Sequence, residues 1–410
     1  MLGRASCCLA ITLAVFAGNP GPAGAEGEKT WSEVQVIGLT PPGGDASIAA
    51  SGTNVYILYG ADPIYVRHSS DSGTTFSAPT VISNSGAAHE TDSLAAEGDD
   101  AFAVTFVRTR TVRDTCCDRD LGNLVVHRST DAGASWQHAV PLTSAGGAFR
   151  VSIAVSLPYV HVAWSDYRGD RWAIYYRRST DGGATWEPEE QLVPPALDGT
   201  NRPQLAAIGK TVHLTWMDDR DGNGPCYVLP HCTETYYMRS VDGGKTWGSL
   251  RRLTFNQPQR PLLSGRPDVD AFSDGPVVIA YDQDLKFGES SVQHYLRSAD
   301  GGQTWQPPTL IGRKPEETHP AAAALGRTGV IAWFEQRSGL SLGIYAHVSE
   351  DSGATWQKKE RVSVSDRLAT TPHVAVTPGL VHVMWLEGRN GNFGVLYRRR
   401  VINDAPRASR

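Results

Sequence analysis

Long apolar runs are scarce in this 410-residue chain. Beyond residue 17, no stretch approaches the roughly 18 uninterrupted apolar residues that a membrane-spanning helix needs. Extended 3.6-residue apolar periodicity is also missing, which argues against a helical core. Charge of one sign is scarce too: 38 Lys and Arg against 43 Asp and Glu leave a formal charge of −5, too mild to draw the chain to nucleic acid or a membrane surface. Cysteine is sparse, at 6 residues, and no zinc-like C-x-x-C pair occurs, so spacing points to no metal site. Nothing in the sequence calls for a cofactor.

Turn-forming and aromatic residues are plentiful: 42 Gly, 25 Pro and 11 Trp. Such a composition suits many short strands joined by turns. The first 25 residues stand apart. They carry Arg4, an apolar run from Cys8 to Ala17, a Gly/Pro break and the small-residue signature Ala23-Gly24-Ala25, the pattern of a cleavable secretory signal. Cleavage there removes one basic residue, takes the charge from −5 to −6, and leaves an exported, soluble chain starting at Glu26, either secreted or periplasmic. Arg4-Ala5-Ser6 before Cys7 lacks the aliphatic residue of a lipid-anchor site. Cys116, Cys117, Cys226 and Cys232 then remain, and in an oxidising compartment they allow three disulfide connectivities. The short loop favours Cys226 with Cys232, and a vicinal bridge joins Cys116 to Cys117. Two bridges between the loops of repeats 2 and 4 are the alternative, and a thiolate site including His231 is a weaker one.

One octapeptide organises the rest. Ser179-Thr180-Asp181-Gly182-Gly183-Ala184-Thr185-Trp186 has close copies starting at Ser69, Ser129, Ser240, Ser298 and Ser349, all reading S-x-D-x-G-x-[ST]-[WF]. Its chemistry is that of a turn: the Asp accepts turn amides, Gly supplies a positive φ, hydroxyls tie the ends and the aromatic packs between sheets. Because the set recurs, Asp71, Asp131, Asp181, Asp242, Asp300 and Asp351 are assigned to folding.

A second register lies upstream, where a β-pattern of twelve or thirteen residues ends on an aromatic. Its copies are 48–59, 94–106, 153–164, 205–216, 269–281, 322–333 and 374–385. Each unit reads as four antiparallel strands, so the expected fold is an all-β, seven-bladed β-propeller over residues 26–400, followed by a polar tail, 401–410. Six blades is the alternative count. The last unit ends without an octapeptide, and its missing half stands at the other end of the chain, where Lys29-Thr30-Trp31 matches Lys245-Thr246-Trp247. The strand after it, Ser32 to Ile37, is therefore expected to pair into the C-terminal blade and close the ring.

The octapeptide is the Asp box, and a chain of Asp boxes on propeller blades resembles the sialidase (neuraminidase) superfamily of BNR-repeat proteins. The resemblance covers residues 27 to 400. It implies a central site with three arginines on a substrate carboxylate, a Tyr/Glu pair as nucleophile and an Asp as acid/base. The chain departs from the pattern in its seventh unit and in having no Arg-Ile-Pro near its N-terminus.

If octapeptide turns occupy one face, loops entering each first strand occupy the other. Three residues before the aligned first strands stand Asp45, Thr91, Arg150, Arg202, Arg266, His319 and Thr371. Three consecutive blades thus carry arginine at the channel mouth, where planar guanidinium donors suit a carboxylate, sulfate or phosphate. Pairing with neighbouring acids is the competing role, and Pro203, Pro267, Pro320 and Pro372 at the next position show that the segment also has a structural one. Arg150, Arg202, Arg266 and His319 are the candidate ligand-binding residues. A second set, Asp166, Asp218, Glu335 and Glu387 with Arg110, Arg168, Arg220, Arg337 and Arg389, repeats after each aromatic, and its repetition predicts ion pairs between blades. Glycosidic cleavage would need an acid and a nucleophile or base across the bond, for which Asp92, Tyr167 and Glu317 are the single-copy candidates. Two readings follow. One is a non-catalytic monomeric module binding an anionic glycan, another carboxylate-bearing ligand, or a protein partner on this face; the other is a sialidase-like exo-glycoside hydrolase.

Overall fold

The computed structural model describes residues 30–84, 93–113, 118–169, 171–196, 199–221, 233–255, 263–286, 290–312, 320–337, 340–389 and 391–402. Among them every regular element is a β-strand, and no helix is long and apolar enough to cross a membrane. The strands form antiparallel sheets. Five sheets have four strands each, and one eight-stranded sheet joins two further sets of four through the pair Ala148 and Gly122. A representative set is Asp45–Ser51, Asn54–Gly60, Ile64–Ser69 and Thr80–Ser83. The first strands of successive sets, Asp45–Ser51, Ser93–Glu97, Ala148–Ser156, Asn201–Ile208, Leu263–Ala271, Ala321–Leu325 and Ala369–Thr377, lie side by side in chain order, and the last also packs against the first.

Both faces of a sheet are covered by its neighbours, so side chains pointing either way leave water. That is why the second strands read as continuous apolar runs rather than alternating ones. Asn54–Gly60 is buried throughout, and Tyr159–Asp166 is buried beyond its first residue. Trp164, Trp216, Trp333 and Trp385, which stand inside four of these strands, are fully buried; truncating a core Trp costs roughly 3–5 kcal/mol. Three histidines that come along are paired through one ring nitrogen: His161, His213 and His382 meet the hydroxyls of Tyr176, Tyr237 and Tyr397 at 2.6, 2.8 and 2.7 Å. Burial pushes all three imidazoles down to about 3, which keeps them neutral.

The octapeptide turns work as their composition suggests. In the copy at Ser179, the Ser179 hydroxyl donates to Asp181 Oδ1 at 2.7 Å and accepts the Gly183 amide at 2.8 Å, while the Thr185 amide and hydroxyl donate to the two carboxylate oxygens at 2.8 and 2.6 Å. Asp71, Asp131, Asp242, Asp300 and Asp351 sit in the same set of bonds. Hydrogen bonds from the seventh residue of the motif, Thr75, Ser135 or Thr185, hold Asp71, Asp131 and Asp181 at about 2. The closing aromatic packs edge-on against the sheet before: Phe76 on Tyr397, Trp247 on Tyr176, Trp305 on Tyr237. Five of the six turns also bond to the bend between a first and second strand, as Ser72 N does to Thr53 O and Gly182 N to Pro158 O, both at 2.8 Å. Both kinds of turn therefore share one face, and the other face is left to the loops that enter the first strands.

The two ends of the described chain share a sheet. Gln35–Thr40 pairs antiparallel with Asn392–Val401, beyond Leu380–Arg389 and Ala369–Thr377. The strand starts later than the expected Ser32 to Ile37 because residues 30–34 are used differently: Trp31 bridges Arg400 and donates its indole N–H to Glu360 at 2.9 Å, and the Ser32 carbonyl accepts from Arg398.

Candidate functional site

At the octapeptide-free face the first strands begin with an unusual backbone. Arg150, Arg202, Arg266 and Thr371 have φ of 47°, 58°, 46° and 43°, in the left-handed region that costs a side-chain-bearing residue about 1–3 kcal/mol. Each sits at a shift of strand register, between Phe149 and Val151, Asn201 and Gln204, Gly265 and Asp268, and Thr370 and His373. A bulge of this kind re-aims a side chain. The proline that follows on three of the four, Pro203, Pro267 and Pro372, carries no N–H to leave unpaired where the ladder is interrupted.

All four bulged residues line one central cavity of about 620 Å³, walled by the first strands, with Asp45 on the same rim. The predicted row is thus brought to one opening, as far as it is described; His319 lies outside the described residues. The three arginines are held differently. The Arg150 guanidinium carbon stands 4.8 Å over the Phe149 ring, Arg266 Nη1 lies 3.2 Å from Asp282 Oδ2, and the Arg202 amide is anchored by Asn201 Oδ1 at 2.7 Å and Ser165 Oγ at 3.2 Å. Guanidinium groups of this kind can hold an oxyanion through two donors at once.

Tyr167 belongs to an aromatic wall beside this rim. Its ring is 5.0 Å from Trp172, which packs on Phe149 beneath Arg150, and the cluster is completed by Leu121 and Val112 from the long hairpin Asp100–Arg113 and Asp118–Ser129. Asp92 and Glu317, the other catalytic candidates, lie outside the described residues, as do Glu90, all six cysteines, and residues 1–25. Among the described residues no three His, Cys, Asp or Glu side chains gather as a metal site requires.

The second set of charges differs from expectation. Asp166 and Asp218 are fully buried and each accepts the indole N–H of the tryptophan two residues before it, at 3.0 and 2.9 Å; Glu335 does the same for Trp333 at 3.1 Å. Arg168 closes on Asp166 at 2.7 Å and on Glu189, and Arg220 closes on Asp218 at 2.8 Å. Glu387 pairs with Arg389 at 3.6 Å. These pairs lie within one sheet, not between sheets, because acid and arginine stand two residues apart on the same strand end; Arg220 alone reaches across, to the Pro194 carbonyl at 3.1 Å. The sequence reading missed Gln204, Asp268, Asp270 and His373, which line the cavity deeper in. The aligned first strands carried the signal, since six of them have alanine where Asp270 stands.

With that geometry, comparison with known proteins is informative. Residues 216–390 match the BNR repeat-like domain. The resemblance to sialidase-like BNR-repeat propellers holds. Among similar solved structures, a Dyadobacter fermentans protein of unknown function has 15% identity and a TM-score of 0.52 over 90% of this chain and 99% of that one. YCF48 bound to D1 peptide has 15% identity and a TM-score of 0.51 over 92% and 97%. A mutant of the α-L-arabinofuranosidase from Fusarium graminearum, in complex with an iminosugar inhibitor, has 16% identity and a TM-score of 0.50 over 75% and 92%. At these identities the likeness is one of fold. No curated protein matches the sequence.

Proposed function

We propose that the chain is a seven-bladed β-propeller, closed by the N-terminal strand in the C-terminal blade, that binds an anionic ligand, an acidic glycan, at the channel mouth without cleaving it. The seven adjacent first strands and the pairing of Gln35–Thr40 with Asn392–Val401 support the blade count and the closure. Residues 1–25 act as an export signal, residues 26–400 form the single domain, and residues 401–410 a polar tail. The protein then works as a secreted or periplasmic monomer, with Cys226–Cys232 and Cys116–Cys117 as its disulfides.

The observation that carries the binding reading is the placement of Arg150, Arg202 and Arg266 on bulged, left-handed backbone around one cavity. Strained backbone at four equivalent positions persists only where the surroundings enforce it, and three of the four carry the side chain best suited to bind two oxygens at once. A hydrolase reading places Asp92 as acid and Tyr167 or Glu317 on the nucleophilic side. The packing of Tyr167 against Trp172 favours binding over that chemistry.

Purified residues 26–410 tested on a glycan array and on fluorogenic glycosides, sialosides included, with Arg202→Ala as control, separate the readings. Binding lost in the variant, without turnover, supports the proposal. Turnover lost in the variant establishes a hydrolase, and neither signal leaves a peptide or protein as the ligand.

A further inference from the structure

Below the arginine rim, the channel wall breaks its own repetition. At the position after the aligned apolar residue, six first strands carry Ala49, Ala95, Ala154, Ala206, Ala323 and Ala375, while the fifth carries Asp270. Two residues earlier on that strand is Asp268, where other strands have Ser93 or Ser152. The serines show what the wall itself requires: Ser93 Oγ accepts the Ile153 amide at 3.2 Å and Ser152 Oγ the Leu205 amide at 3.0 Å, each linking one first strand to the next. Asp268 and Asp270 make the same links, to the Ala322 and Ala324 amides at 2.8 and 2.7 Å. One lone pair suffices for such a link, and a carboxylate offers about four. The remaining capacity, and two negative charges, have no cationic side chain facing them among the described residues. Each carboxylate also accepts the amide of the residue after it, Asp270 Oδ1 that of Ala271 at 2.7 Å and Asp268 that of Val269, and burial pushes both carboxyls up to about 7.

A second observation is independent of the acids. His373 and Gln204 line the same cavity, and neither side chain has a hydrogen-bond partner among the described residues. His373 is half-buried at the lumen, and burial pushes its imidazole down to about 4, which keeps it neutral, with one donor and one acceptor.

We propose that this stretch of the channel is a second binding site, which holds the ammonium group of a small hydroxylated amine at Asp268 and Asp270 and its hydroxyls at Gln204 and His373. An ammonium brings three donors to carboxylates that still have lone pairs to fill. The cavity, at about 620 Å³, has room for a ligand of sugar size. This site does not depend on the arginine rim.

Calorimetric titration of the full chain with glucamine, and with glucitol as the neutral control, tests it. Glucamine is expected to bind at least tenfold more tightly than glucitol. Asp270→Ala, which installs the residue of the other six strands, and Asp268→Asn should each weaken glucamine at least tenfold, with Asp270→Ala melting no earlier than the wild type. Equal affinity for the two probes, no binding of either, or full glucamine affinity in Asp270→Ala would overturn the assignment.

Discussion

Gly73, in the first octapeptide, lies against the hydroxyl of Tyr397 on the last described strand, so close that a Cβ on Gly73 would stand 1.9 Å from the phenol oxygen. The same contact recurs between Gly244 and Tyr176 and between Gly302 and Tyr237. Glycine is needed here twice, for a φ of +79° and for the space. Gly73→Ala should therefore cost about 3 kcal/mol, combining left-handed strain with overpacking. Gly52→Ala, at φ +59° but with nothing within 4 Å of the new carbon, should cost about 1 kcal/mol. Thermal melts of the two variants check the difference, and equal losses would show that space at Tyr397 does not matter.

Removing residues 26–40 takes away the strand that pairs with Asn392–Val401 and the Trp31 contacts to Arg400 and Glu360. The expected result is a lower melting midpoint together with aggregation, because an unpaired strand edge templates association. An unchanged midpoint in calorimetry would refute the role given to this strand.

Acid should destabilise the protein in two windows. His161, His213 and His382 sit at about 3 in the folded chain against the ordinary value near 6.5, so the unfolded chain takes up protons first. Their contribution is complete above about pH 6.5 and is lost as pH falls toward 3. Asp71, Asp131 and Asp181, held at about 2 against 3.8, add a loss that begins near pH 4 and continues downward. Urea unfolding from pH 7 to 2.5 should show stability falling throughout; a plateau between pH 6 and 4 would contradict the histidine part.

Asp270 should have the opposite sign. Its folded value is raised to about 7, so the folded chain holds a proton that the unfolded chain has released, and stability associated with this group is lost as pH rises from about 4 through 7. The stability of Asp270→Ala relative to the wild type should accordingly improve across that interval. A difference that stays constant with pH would mean that Asp270 titrates normally.

Arg202 offers a test of backbone strain at the rim. With φ at 58°, Arg202→Gly should be more stable than Arg202→Ala by about 1 kcal/mol or more, while both lose the anionic ligand. Denaturant midpoints and glycan-array binding of the pair give the answer, and equal midpoints would remove the strain from the account.

The octapeptide made the strands, turns and shared face legible, because each of its residues has a local job that the sequence spells out. The row of arginines was legible only through the alignment the repeats provide. Its bulges were not, since nothing about an arginine announces a positive φ; the prolines at 203, 267 and 372 were the one trace. The ion pairs after each tryptophan were read as links between sheets because repetition says that a residue is structural without saying which neighbour it meets. Asp166 shows the limit: its indole and guanidinium partners are two residues away on either side, a short-range arrangement that long-range reasoning overlooked. Asp268 escaped notice because it stands in line with serines that do similar work, so its excess charge became visible only with the cavity around it.

The pairing of Gln35–Thr40 with Asn392–Val401 also bears on when the molecule can be finished. The first described strand to leave the ribosome has its partner among the last, some 350 residues behind. Throughout synthesis that strand must wait without its own sheet, however early the intervening units form. A chain carried across a membrane in an extended state would meet the same condition on the far side, where its beginning arrives first and stays incomplete until its end has followed.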